Sequence, residues 1–426
     1  MDLQKLLRNL ENCPCGRAHT FATRMVEIES GLLARAGEYL ARANFPRNIL
    51  LVSDRPAMTA AAGLTDVLRA AGFSVTEHVW DKMIYARIEQ VREIEALLGD
   101  KDGVLAVGTG SVNDICRVAS YNTGKQFAIF ATAPSMDGFA SDSAPIIENN
   151  FKTSIPCEQP AVILADTKIL AAAPAELKAA GFGDMVAKYI GIADWQIANV
   201  LIDEYYCPAI AEITMRGTKR VVEQYAAVSG NDEAAAGAIM EGLILSGLGM
   251  KLAASSRPAS GAEHVVSHYW ECHKLARGIW PGYHGDKVGV ASLLMLRAYR
   301  NIAARVTSVD PVADPTDWSA VYAAYDESQH PDIKRLNTPT ITDKVDLARL
   351  KNNWQKIREI IETLLPDPDE MERMMRIAGC AITPADVHVD AALLADGLHY
   401  HPYMRYRMLL TRILPMLGLD IMDYLE

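Results

Sequence analysis

Apolar positions fall into two regimes along this chain. Up to about residue 170, short β-rich apolar runs alternate with stretches of helical character. Asn48-Ile-Leu-Leu-Val-Ser-Asp54 reads as a buried strand ending on a polar turn residue. A helical stretch follows through Thr65-Asp-Val-Leu-Arg-Ala-Ala71, closed by Gly72, as glycine does just past helix ends. Residues 73–80 predict the next strand, residues 88–98 the next helix, and residues 103–108 and 127–132 two further strands. Strands separated by helical segments predict parallel βαβ units, because parallel neighbours need a long crossover connection.

From about Pro174 onward, long Ala-, Leu- and Met-rich segments take over, with few β-branched runs. Residues 209–227, 233–254 and 287–306 predict helices, as do residues 343–365 after a Pro- and Asp-rich stretch at 310–339. The tail, residues 401–425, is also helical in character. The expected architecture is an N-terminal α/β Rossmann-like parallel-sheet domain over residues 1–172 and an all-α helical domain over residues 173–426. No run of about 18 apolar residues is expected to span a bilayer. The opening Met1-Asp-Leu-Gln-Lys-Leu-Leu-Arg8 has neither a long apolar stretch nor a clear cleavage site, so a cytoplasmic location is expected.

Composition narrows the function classes. The chain has 426 residues, half of them apolar and 22% charged, which suits a folded protein of two or more substantial cores. A formal net charge of −11 argues against nucleic acid, since phosphate binding calls for a basic surface. Seven scattered cysteines fit reduced thiols better than a disulfide framework. Cys13-Pro-Cys-Gly-Arg-Ala-His19 offers two thiols and an imidazole but no clear fourth zinc ligand. It is expected to form a surface turn before the first domain.

Two constellations carry chemistry. Gly108-Thr-Gly-Ser111 follows a strand and precedes a helix starting near Val112. Glycines there let backbone approach a diphosphate, and the helix N-terminus offers unpaired N–H groups and a positive dipole end. The turn follows the third strand rather than the first, so it is no ordinary dinucleotide fingerprint. Thr132 and Ser135, beyond the next strand, add hydroxyls on the adjacent crest. The second constellation is Asp184 in Gly181-Phe-Gly-Asp-Met-Val-Ala-Lys188, His264 and His268 in Ser260-Gly-Ala-Glu-His-Val-Val-Ser-His268, and His284 in Tyr283-His-Gly-Asp-Lys287. Asp184 and Lys188 are four apart on an expected helix, as are His264 and His268, so each pair shares a face. A carboxylate with two imidazoles suits a divalent ion with coordination positions left open. Spacing alone does not choose between His264 and His268. His399 and His401 form another cluster, read as tail packing.

These motifs together resemble the sn-glycerol-1-phosphate dehydrogenases, bacterial type, within the superfamily of iron-type alcohol dehydrogenases, glycerol dehydrogenase and 3-dehydroquinate synthase. The resemblance is carried by Thr109-Gly-Ser-Val-Asn-Asp-Ile115, Ala131-Thr-Ala-Pro-Ser-Met-Asp-Gly-Phe-Ala-Ser141, Gly183-Asp-Met-Val-Ala-Lys-Tyr189 with Ala193-Asp-Trp195, and Ser256-Arg-Pro-Ala-Ser-Gly-Ala-Glu-His264. It implies a metal held by Asp184, His264 and His284 (zinc, alternatively nickel or iron), with His268 a cleft residue and candidate proton donor. It implies NAD or NADP on Asp54, Gly108, Thr109, Gly110, Ser111, Asp114, Thr132 and Ser135. Asp137, Lys152 and Lys188 are the expected substrate contacts, with Asp137 also in the catalytic set and Lys152 beside a phosphate-like group. Gly108-Thr-Gly departs from the more usual Gly-Gly-Gly. The implied reaction is reversible reduction of dihydroxyacetone phosphate to sn-glycerol 1-phosphate, supplying lipid backbones, by a homodimer whose active site lies between its domains. The alternatives are a polyol dehydrogenase with an unphosphorylated substrate, a dehydroquinate synthase-like lyase, which expects glutamate where Asp184 stands, and a silent nucleotide-binding protein.

Overall fold

The computed structural model describes residues 1–83, 85–148 and 151–426. Eight strands are described: β1 (Met25–Glu29), β2 (Asn48–Asp54), β3 (Ser74–Trp80), β4 (Gly103–Gly108), β5 (Gln126–Ala131), β6 (Ser143–Glu148), β7 (Phe151–Pro156) and β8 (Val162–Asp166). Six form one parallel sheet in the order β1-β8-β5-β4-β2-β3, and β6 pairs antiparallel with β7. The helices of this half are α1 (Leu3–Arg8), α2 (Ala36–Arg42), α3 (Arg55–Ala60), α4 (Leu64–Ala70), α5 (Ile88–Leu98) and α6 (Gly110–Thr123).

The four predicted strands are β2 to β5, and their composition explains why they were legible. β4 is buried at every position, and β2 and β5 at all but their ends. Alternate residues serve opposite faces. Ile49, Leu51, Leu105, Val107, Phe130 and Leu164 join one apolar cluster, whereas Leu50, Val52, Val104, Ala106, Ile129 and Ile163 join another. A parallel sheet covered on both sides therefore reads as near-continuous apolar sequence. β1 and β8 were not anticipated, and neither was the β6–β7 hairpin. β1 is a five-residue edge strand, and β8 is five residues that lead at once into a helix.

Beyond β8 the chain is helical: α7 (Thr167–Ala172), α8 (Ala175–Val186), α9 (Lys188–Ile202), α10 (Pro208–Val222), α11 (Glu233–Ala253), α12 (Ala262–Ala276) and α13 (His284–Arg305). The predicted helix at 343–365 is broken into Leu347–Asn352 and Trp354–Leu364. The expected tail helix is not continuous. Short 3-10 turns at His401–Met404, Pro415–Leu417 and Ile421–Tyr424, with a single turn at Leu410–Ile413, replace it. Pro402, Pro415 and Gly418 interrupt the helical pattern there.

Helix α11 packs among several elements of the fold. An 18-residue window within its 21 residues reaches mean hydropathy 1.3, enough by length and composition to cross a membrane. Yet 83% of that window is buried inside the fold, against α7, α8, α10 and the turn at Asp137–Ala140. A central packing role accounts for its apolar character on all sides.

Glycines set how closely the helices approach one another at the interior end of α8. A Cβ on Gly181 would overlap the Pro134 carbonyl oxygen of the β5 loop, and one on Gly285 the Ala180 carbonyl oxygen. At Gly183 it would stand 2.7 Å from the Gly285 carbonyl oxygen. Backbone-to-backbone contact thus joins α8 to α13 and to the sheet crest. Gly181→Ala is expected to lower the thermal midpoint, at a cost of about 1–3 kcal/mol from overpacking. Gly230→Ala should leave it unchanged, because nothing lies nearer than the Ala227 carbonyl oxygen at 3.5 Å. Equal midpoints for the two variants in calorimetry would mean that α8 can shift freely.

Candidate active site

The turn after β4 and the loop after β5 lie side by side at the carboxyl ends of their strands, where open α/β sheets take ligands. Gly108 adopts φ +158°, and a side chain there would press on Val112 at 3.2 Å. At Gly110 a Cβ would come within 2.9 Å of Met136. Thr109 is the N-cap of α6 without a side-chain capping bond, and the Thr132 N–H donates to the Gly108 carbonyl at 3.0 Å. Ser111 opens the same helix, Thr132 is buried and Ser135 half-buried in the adjoining loop. The Gly108-Thr-Gly turn thus passes directly from β4 into α6, beside the loop that carries Thr132 and Ser135.

Asp54 and Asp114 differ from simple ligand contacts. Asp54 ends β2, but its carboxylate accepts from Ala57 N at 3.0 Å and Met83 N at 3.1 Å, capping α3. Asp114 is buried on α6, accepts from Asn113 Nδ2 at 3.0 Å, and is pushed up by burial to about 6. Nearby Arg117, also buried, donates to the carbonyls of Gly138, Phe139 and Ser143. It fixes the turn that carries Asp137. Sequence gave no sign of this role, because the partners are distant backbone carbonyls.

Asp137, Asp184 and Lys188 form one buried group. The Lys188 ammonium contacts Asp137 Oδ2 and Asp184 Oδ1, each at 2.8 Å, and donates to the Ala259 carbonyl at 3.2 Å. Asp184 Oδ2 accepts from the Asp137 backbone N–H at 2.9 Å, and Ser246 Oγ donates to Asp137 Oδ2 at 2.9 Å. Burial alone would lower the lysine, but the Asp137 and Asp184 carboxylates raise Lys188 above its ordinary range. Two carboxylates share one ammonium, which leaves formal negative charge in a site nearly closed to water.

The histidines gather beside this group. His264 Nδ1 lies 2.7 Å from Glu263 Oε1, and a carboxylate only accepts, so Nδ1 carries the hydrogen. Its Nε2 is left facing Asp184 Oδ1 at 3.6 Å. Glu263 is itself held by the Gly261 N–H at 2.8 Å. His284, the first residue of α13, has its ring centroid 5.3 Å from that of His264. Its buried Nδ1 has no partner among the described residues. Ligand atoms of Asp184, His264 and His284 all lie within 4.8 Å of one another. An unpaired buried nitrogen, a correctly oriented imidazole and excess negative charge are what a divalent cation requires, so the set fits one.

His268, Glu271 and His284 form a second close group that shares His284. Glu271 accepts from Lys152 Nζ at 3.1 Å on both oxygens and lies 3.3 Å from His268 Nδ1. Burial would raise Glu271, but Lys152 and Lys287 hold it well below the usual carboxylate range. Burial, with Lys152 and Arg405 nearby, pushes His268 down to about 3, so its imidazole is neutral and its Nε2 is an acceptor. Burial, then Lys152 and His264, push His284 well down too. Lys152 is thus ion-paired rather than solvated. Glu263 and Glu271 went unassigned in the sequence, although Glu263 adjoins His264 and Glu271 stands three after His268 on one helix face. Of the outlying histidines, His401 is buried, with Nδ1 2.8 Å from the Gly397 carbonyl, while His399 pairs with Asp420 at 2.9 Å.

Residues 27–174 match the family model described as iron-containing alcohol dehydrogenase. The chain is 30% identical to glycerol-1-phosphate dehydrogenase [NAD(P)+] of Geobacillus stearothermophilus, over 93% of each protein. It is 34% identical to the Geobacillus thermodenitrificans protein of the same name, over 70% of this chain and 68% of that one. Among solved structures, a probable glycerol dehydrogenase from Sinorhizobium meliloti superposes with TM-score 0.64 at 16% identity, covering 96% of this chain and 99% of that one. The structural match shows the fold.

Because Glu263 fixes the hydrogen on His264 Nδ1, Glu263→Gln is expected to weaken divalent-metal affinity about 10–100-fold. Chelator competition on the purified protein measures this. An unchanged affinity would remove Glu263 from that role.

Proposed function

The chain belongs to the glycerol-1-phosphate dehydrogenase family and is an NAD(P)-linked oxidoreductase; on that premise we propose that it reversibly reduces dihydroxyacetone phosphate to sn-glycerol 1-phosphate. The observation that carries this reading is the convergence of Asp184, His264 and His284 beside the buried Asp137–Lys188 pair, next to the turns after β4 and β5. Asp184, His264 and His284 would hold the divalent ion, with zinc, nickel or iron all compatible with this donor set. Gly108, Thr109, Gly110, Ser111, Thr132 and Ser135 would line the nucleotide site, with Asp54 and Asp114 supporting it from the end of β2 and from α6. The bound groups supply a Lewis acid to polarise the carbonyl and a hydride to reduce it.

The chain's own residues do the rest. Lys188 contacts both Asp137 and Asp184 and fixes them, so that neither swings toward solvent when substrate enters. Asp137, with one oxygen taken by Ser246 and Lys188, orients a substrate hydroxyl through its remaining acceptor capacity. Neutral His268, tied through Nδ1 to Glu271, presents Nε2 as a proton acceptor in the oxidation direction and passes the proton on to solvent; in reduction the same nitrogen relays a solvent proton to the product oxygen. Lys152 reads the phosphate, exchanging part of its pairing with Glu271 for the more highly charged ligand. Strand-end turns from one half, and α8, α12 and α13 from the other, support a site between the two halves.

That same Lys152–Glu271 pair favours a second reading. A lysine already neutralised by a carboxylate is a weaker phosphate receptor, which suits an unphosphorylated polyol. Oxidation of NADH or NADPH with dihydroxyacetone phosphate, before and after chelation, tests the first reading, together with chiral analysis of the product. Metal-dependent turnover to the 1-phosphate enantiomer is expected. The opposite enantiomer, or equal activity on free glycerol, would overturn it. Lys152→Ala should raise KM for the phosphorylated substrate at least about 10-fold, the scale of one lost charge-assisted contact. It should leave the KM for nucleotide near its starting value, and equal effects on both would dismiss Lys152 as the phosphate contact.

A further inference from the structure

The segment Cys13-Pro-Cys-Gly-Arg-Ala-His19 is not the isolated surface turn its sequence suggests. It packs against the helical half, and the fold supplies the fourth ligand that the sequence lacks. Cys207, the N-cap of α10, is fully buried and stands 3.4 Å from Cys13, sulfur to sulfur. Cys15 Sγ lies 3.2 Å from His19 Nε2, and ligand atoms of all four residues fall within 4.8 Å of one another. Tetrahedral zinc, with Zn–S near 2.3 Å, sets its sulfurs about 3.8 Å apart, so the cluster has the right size.

Two independent features prepare these side chains for a cation. His19 is 9% exposed, and its Nδ1 lies 3.1 Å from the Leu252 carbonyl, in the last turn of α11. A carbonyl only accepts, so Nδ1 carries the hydrogen and Nε2 turns its lone pair toward the cysteines. Metal-binding histidines are commonly oriented by such a backbone carbonyl. On the other side, the Tyr205 hydroxyl donates to Cys15 Sγ at 3.3 Å, and Arg17 lies 3.5 Å over the Tyr205 ring. A hydroxyl donor at the sulfur favours thiolate over thiol. Gly16, at φ +76° with open space around it, permits the left-handed turn between Cys15 and His19. The Cys-x-Cys step is shorter than the usual two-to-four-residue spacer, but the Cys-x3-His step is ordinary.

We propose that Cys13, Cys15, His19 and Cys207 bind a structural zinc ion that fastens the N-terminal segment to α10 and α11. Four protein ligands leave no open position, so the site is structural rather than catalytic. It is chemically distinct from the Asp184–His264–His284 set, which contains no sulfur.

Cobalt substitution separates the two sites, because only a thiolate-ligated ion gives sulfur-to-cobalt charge-transfer absorption in the near ultraviolet. The cobalt-loaded protein is expected to show that band and to hold two ions per chain by elemental analysis. Cys15→Ser should abolish the band and lose one ion, while Asp184→Asn should lose the other ion and keep the band. Should Cys15→Ser fail to fold, the unsubstituted protein and Asp184→Asn still decide the matter. No charge-transfer band in cobalt-loaded protein, with its cysteines open to a thiol reagent, would overturn the proposal. So would a Cys13–Cys207 disulfide found by mass spectrometry in freshly isolated protein.

Discussion

Lys188 is held between two carboxylates from different parts of the chain, and the geometry of the site depends on that contact. Asp137 comes from the loop after β5, and Asp184 from α8, one turn before the lysine itself. Moving three charges out of water is costly, and their attraction offsets this only with close geometry and further hydrogen bonds. Both conditions are met, with the Ala259 carbonyl, Ser246 and the Asp137 N–H completing the shell. The same contact joins the sheet crest to the helical half.

Glycine packing makes that contact possible. Gly181, Gly183 and Gly285 bring α8 against the β5 loop and α13 with no side chains between them. On α11, a Cβ at Gly247 would stand 2.8 Å from the Asp137 carbonyl oxygen, so that helix approaches the same turn equally closely. Asp194 performs a related task at the start of α12. It accepts from Ala262 N at 2.8 Å, Leu410 N at 2.9 Å and the Tyr299 hydroxyl at 2.9 Å. The loop that delivers Glu263 and His264 is thereby tied to α9, α13 and the C-terminal segment. Side chains that touch no ligand thus fix the positions of those that would.

Electrostatics then divides the site into two zones. Around Lys188 the carboxylates outnumber the cation, which suits a divalent ion beside the imidazoles. Around Glu271 the balance reverses, with Lys152 close by and the charges of Lys287 and Arg405 within reach of the group. In the proposed reaction the substrate's carbonyl end would face the first zone and its phosphate the second. Burial, with Lys152 and Arg405 nearby, keeps His268 neutral against the opposing pull of Glu271.

Much of this was legible in the sequence, for local reasons. The strands β2 to β5 are apolar enough to be read as buried, and Gly108-Thr-Gly, Asp184 and the His264 and His284 segments stand out as motifs. Asp184 and Lys188 were readable as a pair because helical spacing alone brings them together. β1, β8 and the hairpin were not legible, since five-residue strands carry too little periodicity. Nor were the bracing by Arg117, or the meeting of Cys13, Cys15 and His19 with Cys207, 188 residues beyond His19. Those depend on which distant backbones approach each other. Residue type and spacing specify what a side chain can do, whereas packing between remote segments decides what it meets.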